Sequence, residues 1–104
     1  MATKKNLIGS FKSLQATLAA GYSPFLSPEV RARWEGVGLH AKRVANRASE
    51  WMALPEDSHS YGAPIMAMDA AASTLAAADE DHEQLAGLEA TDSALDGVEG
   101  LLRG

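Results

Sequence analysis

The stretch "VRARWEGVGLHAKRVANRASEWM", residues 30–52, places Val30, Trp34, Val37, Ala41, Val44, Ala48 and Trp51 at alternating intervals of four and three. That is the 3.5-residue repeat of a helix with one apolar seam, sustained for about three heptads. Arg31, Arg33, His40, Lys42, Arg43 and Arg47 fill the positions between. Ser27 reads as the N-cap, Pro28 fits the first turn, and Glu29 suits the positive end of the helix. Pro55 closes it, so the pattern predicts a long amphipathic helix over 28–54. Gly36 and Gly38 inside it each cost roughly 1 kcal/mol relative to Ala; they permit a bend or admit another backbone.

The same period extends to either side. Leu7, Phe11, Leu14 and Leu18, with Ile8 beside them, predict a helix over 4–20, stopped at Gly21. Pro24 and Pro28 hold the residues before them out of the helical region, which makes "YSPFLSP" a connector. "PEDSHSYGAP" is a loop by composition. Beyond it, Ile65, Met68, Ala72 and Leu75 share one face of a helix over 64–86, and Leu88, Thr91, Leu95, Val98 and Leu102 share one over 88–102. The pattern leaves open whether these are one helix or two broken near Gly87. No segment alternates with period two. The expectation is an all-α fold: a three- or four-helix bundle-like single domain over 1–104, organised on the long central helix.

Charge is divided along the chain. Residues 1–54 carry eight Lys or Arg against three acids, net +5; residues 55–104 carry Arg103 against eleven acids, net −10. All six aromatics lie in the first 61 residues, so the C-terminal part must pack through Leu, Met, Ile, Val and Ala. There is no cysteine, which removes disulfides, thiolate metal sites and cysteine nucleophiles. No apolar run approaches the roughly 20 residues of a membrane span, and Lys12 and Gln15 interrupt any signal-peptide core near the start. A cytoplasmic location, or one within a macromolecular assembly, is therefore expected.

Five groups of residues invite a functional reading. Arg33, His40, Arg43 and Arg47 form a basic stripe that would track a phosphate backbone, but the acidic half of the chain and a pI near 5.0 disfavour nucleic acid. Pairing with the chain's own acids, or at short range as Arg31–Glu35 and Arg47–Glu50, is the simpler account. Trp34 and Trp51 sit on the seam as core anchors, or as interface hot spots should the Ala-rich half leave them uncovered. Asp79, Glu80, Asp81, His82 and Glu83 include the carboxylate-x-x-His spacing of di-iron helical proteins. A second ligand set is missing, so no metal is assigned and the run reads as a solvated acidic face. His59 has Asp57, Ser58 and Ser60 beside it, but neighbouring loop residues do not assume triad geometry. Lys4, Lys5 and Lys12 on the first helix would suit an anionic membrane surface, yet its apolar residues are needed for the core.

Trp34, Glu35 and Gly36 form the W-x-G tripeptide and in this resemble a family of short secreted helical hairpins. There the tripeptide lies at the turn between two helices. Here it falls inside the heptad run, and Tyr61 is followed four residues on by Ile65 rather than an acid. The similarity stops at three residues and membership is not inferred.

The functional expectation is a non-enzymatic helical protein–protein interaction or assembly module without a cofactor, of the type of a viral structural or accessory subunit. Its partner is a protein, itself included, with the basic half of one copy meeting the acidic half of another. Its interaction residues are Trp34, Trp51, Arg33, His40, Arg43 and Arg47 together with Asp79, Glu80, Asp81 and Glu83. One alternative is a small acidic inhibitor that occupies a basic site on a target through its C-terminal face. Another is nucleic-acid binding through the basic face of the central helix.

Overall fold

The computed structural model describes residues 3–55 and 61–103. They form four helices, α1 (Lys4–Gly21), α2 (Pro28–Met52), α3 (Gly62–Ala77) and α4 (Asp81–Arg103). No strand occurs among the described residues. None of the helices is long and apolar enough to cross a membrane.

Local chemistry sets the helix starts. Thr3 Oγ1 accepts from the Asn6 N–H while Asn6 Oδ1 accepts from the Thr3 N–H, a reciprocal cap that satisfies two otherwise orphaned donors. Ser27 Oγ accepts from the Val30 N–H with Pro28 next to it, as its sequence predicts. At its far end α2 closes at Met52 rather than 54. The Ala53 and Leu54 N–H groups bond to the carbonyls of Glu50 and Trp51, three residues back, and this tightened turn ends the α-helical ladder.

The core follows the apolar registers. Leu7, Phe11, Leu14 and Leu18 of α1 are buried, as are all seven seam residues of α2. From the other half come Met68, Ala71 and Leu75 of α3 and Leu88, Thr91, Ala94, Leu95 and Val98 of α4. Each fully buried Leu, Val or Met contributes roughly 1.5–3 kcal/mol. Thr91 tolerates complete burial because its hydroxyl donates to the Gly87 carbonyl at 2.8 Å.

The helices pack in a ring around this core. α3 lies closely on both α1 and α4, and α2 on α4, whereas α1 and α2 are the loosest neighbours. The order around the core is therefore α1, α3, α4, α2, and the α1/α2 and α3/α4 pairs occupy opposite sides. Two contacts fix the directions. The Trp34 indole N–H donates to the Leu18 carbonyl at 2.9 Å, and Lys4 Nζ donates to the carbonyls of Trp51, Leu54 and Pro55 at 3.0–3.2 Å. α1 and α2 thus run antiparallel. Tyr61, at the start of α3, meets Trp51 edge-to-face, with ring centroids 5.6 Å apart, so α3 sets out from the end where α2 finishes.

The C-terminal break lies at residues 78–80 rather than near Gly87, which replaces the expected helices 64–86 and 88–102. Ala78 leaves the helix in an extended conformation. Glu83 Oε1 then accepts from the Glu80 N–H at 3.1 Å, and Asp81 and Glu83 in the first turn of α4 complement its positive end. Gly87 lies inside α4 for a different reason. A Cβ there would stand 3.0 Å from Leu75 Cα and 3.2 Å from Leu75 N, so this glycine lets α3 and α4 approach closely. Gly21 has a similar role at the end of α1, where a Cβ would lie 2.7 Å from the Trp34 ring. Gly36 and Gly38 admit no backbone: nothing lies within 4 Å of a Cβ at either, and α2 runs through both.

These glycines yield opposite predictions in a urea unfolding series. Gly36→Ala should raise stability by about 0.5–1 kcal/mol, since it only reduces backbone freedom in the unfolded chain. Gly21→Ala should lower it by about 1–3 kcal/mol through overpacking against an indole held by its own hydrogen bond. Lys4→Met should cost about 1–2 kcal/mol by stripping the α2 C-terminus of its cation, while Lys5→Met, exposed, should stay within about 0.5 kcal/mol.

Candidate functional site

Two features flank α2. On the side facing α1, the loose packing leaves an apolar groove. Its upper part, about 780 Å³, lies between Leu18 and Ala19 of α1, with Tyr22 just beyond it, and Trp34, Leu39 and Ala41 of α2. Gln15 joins it to a lower part of about 450 Å³ between Ile8 and Phe11 on one wall and Ala45, Ala48 and Met52 on the other. Leu39 is 63% exposed here. Lys12 and Lys42 stand in the two walls, and neither forms an ion pair among the described residues. At the upper mouth the Tyr22 hydroxyl donates to Glu35 Oε2 at 3.0 Å. The hydrogen bond to this carboxylate, with smaller help from burial and from the charge of Glu35, raises the phenol above its ordinary pKa.

On the side facing α4, His40 is buried, 5% exposed, among three carboxylates. Its Nδ1 lies 2.7 Å from Asp92 Oδ1, and its Nε2 lies 3.4 Å from Asp96 Oδ1 and 3.7 Å from Glu99 Oε1. A carboxylate only accepts, so Nδ1 carries the proton of the short bond. Nε2 makes no hydrogen bond among the described residues. Asp92, Asp96 and Glu99 project together because they stand at i, i+4 and i+7 on α4.

The residues singled out by sequence separate accordingly. Trp34 and Trp51 are core, covered by the Leu18 carbonyl, by Lys4 and by Tyr61. Among the described residues, His40 alone of the basic stripe reaches the acidic half. Arg33, Arg43 and Arg47 are exposed and form no ion pair among the described residues, and neither Arg31–Glu35 nor Arg47–Glu50 forms. Asp79, Glu80, Asp81 and Glu83 are exposed at the start of α4. Asp79 precedes the helix, so it and His82 do not share a helical face. Ligand atoms of Glu80, His82 and Glu83 do come within 4.8 Å of one another, but all three side chains are exposed and Glu83 is engaged as a cap. The His59 loop lies outside the described residues.

Sequence reasoning placed His40 on the basic stripe and missed its partners, 52 or more positions away. The sequence signal for them is the row of Asp92, Asp96 and Glu99 at i, i+4 and i+7 on α4. Lys4 was also missed as the residue that closes α2.

Comparison with protein-family models, with curated proteins and with solved structures finds no match to this chain.

The contrast between partnered and unpartnered charges can be measured. Asp92→Ala leaves the buried Nδ1 of His40 without an acceptor and should cost about 1–3 kcal/mol in chemical denaturation. Arg43→Ala should change stability by no more than about 0.5 kcal/mol.

Proposed function

We propose that the chain is a non-enzymatic helical assembly module, a bundle-like domain built on α2 as its long amphipathic central helix, whose copies stack head to tail. In this arrangement the α3/α4 side of one copy occupies the α1/α2 groove of the next. The observation that carries the reading is the groove itself: apolar along both α1 and α2, and walled by Lys12 and Lys42, which form no ion pair among the described residues.

Charge selects the occupant. All eight Lys and Arg of the N-terminal half lie on α1 and α2, while α4 carries six acids against Arg103. These pairs lie on opposite sides of the core, so like faces of two copies repel and unlike faces attract. Side-chain shape agrees with charge. α3 has a single charge, Asp69, in sixteen residues, and its outward side chains include Ala63, Met66, Ala67 and Ala70, with Met66 72% exposed. A helix apolar all round is one that expects cover on more than one side, and small side chains suit insertion between two splayed helices. A contact between two different faces is heterologous; it closes into a ring or continues as a filament according to the rotation per step.

Static light scattering across concentration and salt, with two variants, tests this. The wild type should form species larger than a dimer that diminish at high salt. Leu39→Glu in the groove and Met66→Glu on α3 should each yield monomer alone, since both residues are exposed in the single chain. Mixed one to one, the two variants retain one intact interface between them and should give a dimer and nothing larger. A wild type that stays monomeric, or variants that fail to complement, would sink the head-to-tail reading.

A further inference from the structure

We propose that His40, Asp96 and Glu99 form a binding site for a divalent transition-metal cation, Zn²⁺ matching the donor set best, with Asp92 as the carboxylate that orients the imidazole from behind. This site lies on the α2/α4 side and does not rest on the assembly reading.

The argument begins with the two ring nitrogens, which have unlike surroundings. Nδ1 is held by Asp92 at 2.7 Å, the length of a charge-assisted hydrogen bond. That bond fixes the tautomer and leaves Nε2 with its lone pair, the arrangement in which metal-ligating histidines are found: one nitrogen to a carboxylate, the other to the ion. Nε2 is buried and makes no hydrogen bond among the described residues, although two carboxylate oxygens face it.

Distances on the Nε2 side suit a bridging ion better than a direct hydrogen bond. An imidazolium would draw a carboxylate to about 2.7–2.9 Å of Nε2, as Asp92 is drawn to Nδ1. Instead the oxygens of Asp96 and Glu99 stand at 3.4 and 3.7 Å, and the three ligand atoms lie within 4.8 Å of one another. Ligands about 2.0–2.1 Å from a tetrahedral Zn²⁺ are separated from one another by about 3.3 Å. The gap before Nε2 is therefore too wide for a shared proton and close to the edge of a zinc tetrahedron.

The electrostatics of α4 point the same way. Asp92, Asp96 and Glu99 form a row of like charges along one face of α4, and like charges at these spacings destabilise each other. Arg103 offsets little of this, since it is exposed and only its Nη2 reaches Glu99 Oε1, at 3.5 Å. A bound divalent ion would neutralise the row. Asp96, with a side chain 68% exposed, leaves the site open to solvent on one side, so water can complete the coordination. One imidazole with two carboxylates suits Zn²⁺; Ca²⁺ and Mg²⁺ take oxygen ligands.

The test is a titration of the chelator-treated full-length chain with zinc chloride by isothermal calorimetry, with cobalt(II) chloride as a visible-absorption reporter of four-coordinate geometry. Wild type should bind one Zn²⁺ per chain and show the intense visible bands of tetrahedral cobalt. Because His40 is buried, the test rests on the carboxylates. Asp96→Asn and Glu99→Gln should each weaken binding at least about 10-fold and remove the cobalt bands, and Asp92→Asn should weaken it about 10–100-fold. His82→Ala should leave the affinity unchanged. The proposal is overturned by absence of binding in the wild type, by undiminished binding in Asp96→Asn and Glu99→Gln, or by loss of binding in His82→Ala, which would put the ion at the other end of α4.

Discussion

The structure depends on how Trp34 is held. Its indole presses on the bare backbone of Gly21 and donates to the Leu18 carbonyl, so one side chain of α2 both terminates α1 and sets the height at which the two helices meet. Trp51 is held at the other end by the Lys4 ammonium, 4.5 Å from its ring, and by the perpendicular ring of Tyr61. The tryptophans stand 17 positions apart on one helix, and between them the side chains turned toward α1 and the core are small: Ala41, Val44, Ala45 and Ala48. Fixing the ends with large rings and filling the middle with small residues keeps α1 and α2 in register without bringing them together. The open groove is the geometric result.

α3 and α4 follow the opposite rule. Lacking aromatics beyond Tyr61, they gain contact by approach rather than bulk, with Gly87 against the Leu75 backbone and Ala71 and Ala94 in the core. Dispersion between closely set backbones substitutes there for large side chains. One side of the molecule is thus tightly set and acidic, the other splayed and basic, and this asymmetry underlies the reading of the chain as an assembly module.

Most of the helical content was legible in sequence because it rests on a period visible over a few turns. The seam from Val30 to Trp51 and the α1 register from Leu7 to Leu18 are buried as the spacing predicts. So are Leu88, Thr91, Leu95 and Val98 of the last helix. What failed was the meaning of single residues whose role is set by a distant partner. Gly87 looked like a stop because glycine ends helices in isolation; only the position of Leu75 reveals it as a point of close approach. The acidic run at 79–83 is exposed, in keeping with a solvated face, but its pattern does not show that it also starts a helix, with Asp81 and Glu83 in the first turn of α4. The partners of Lys4 and His40 lie roughly half the chain away, so the local pattern allows pairing of the stripe with the chain's own acids without indicating which helix supplies them.

The looseness between α1 and α2 also bears on how the chain is made. These helices leave the ribosome before α3 and α4 and form the obvious antiparallel hairpin, yet they are the loosest of the neighbouring pairs. Until α3 and α4 emerge, Phe11, Leu14, Trp34 and Val44 have little to bury against, and the nascent half exposes most of the protein's aromatic surface. Productive folding is accordingly late, since the tight contacts all involve the C-terminal half. A chain stalled or truncated before residue 62 would be a hydrophobic, positively charged fragment of the kind that chaperones retain.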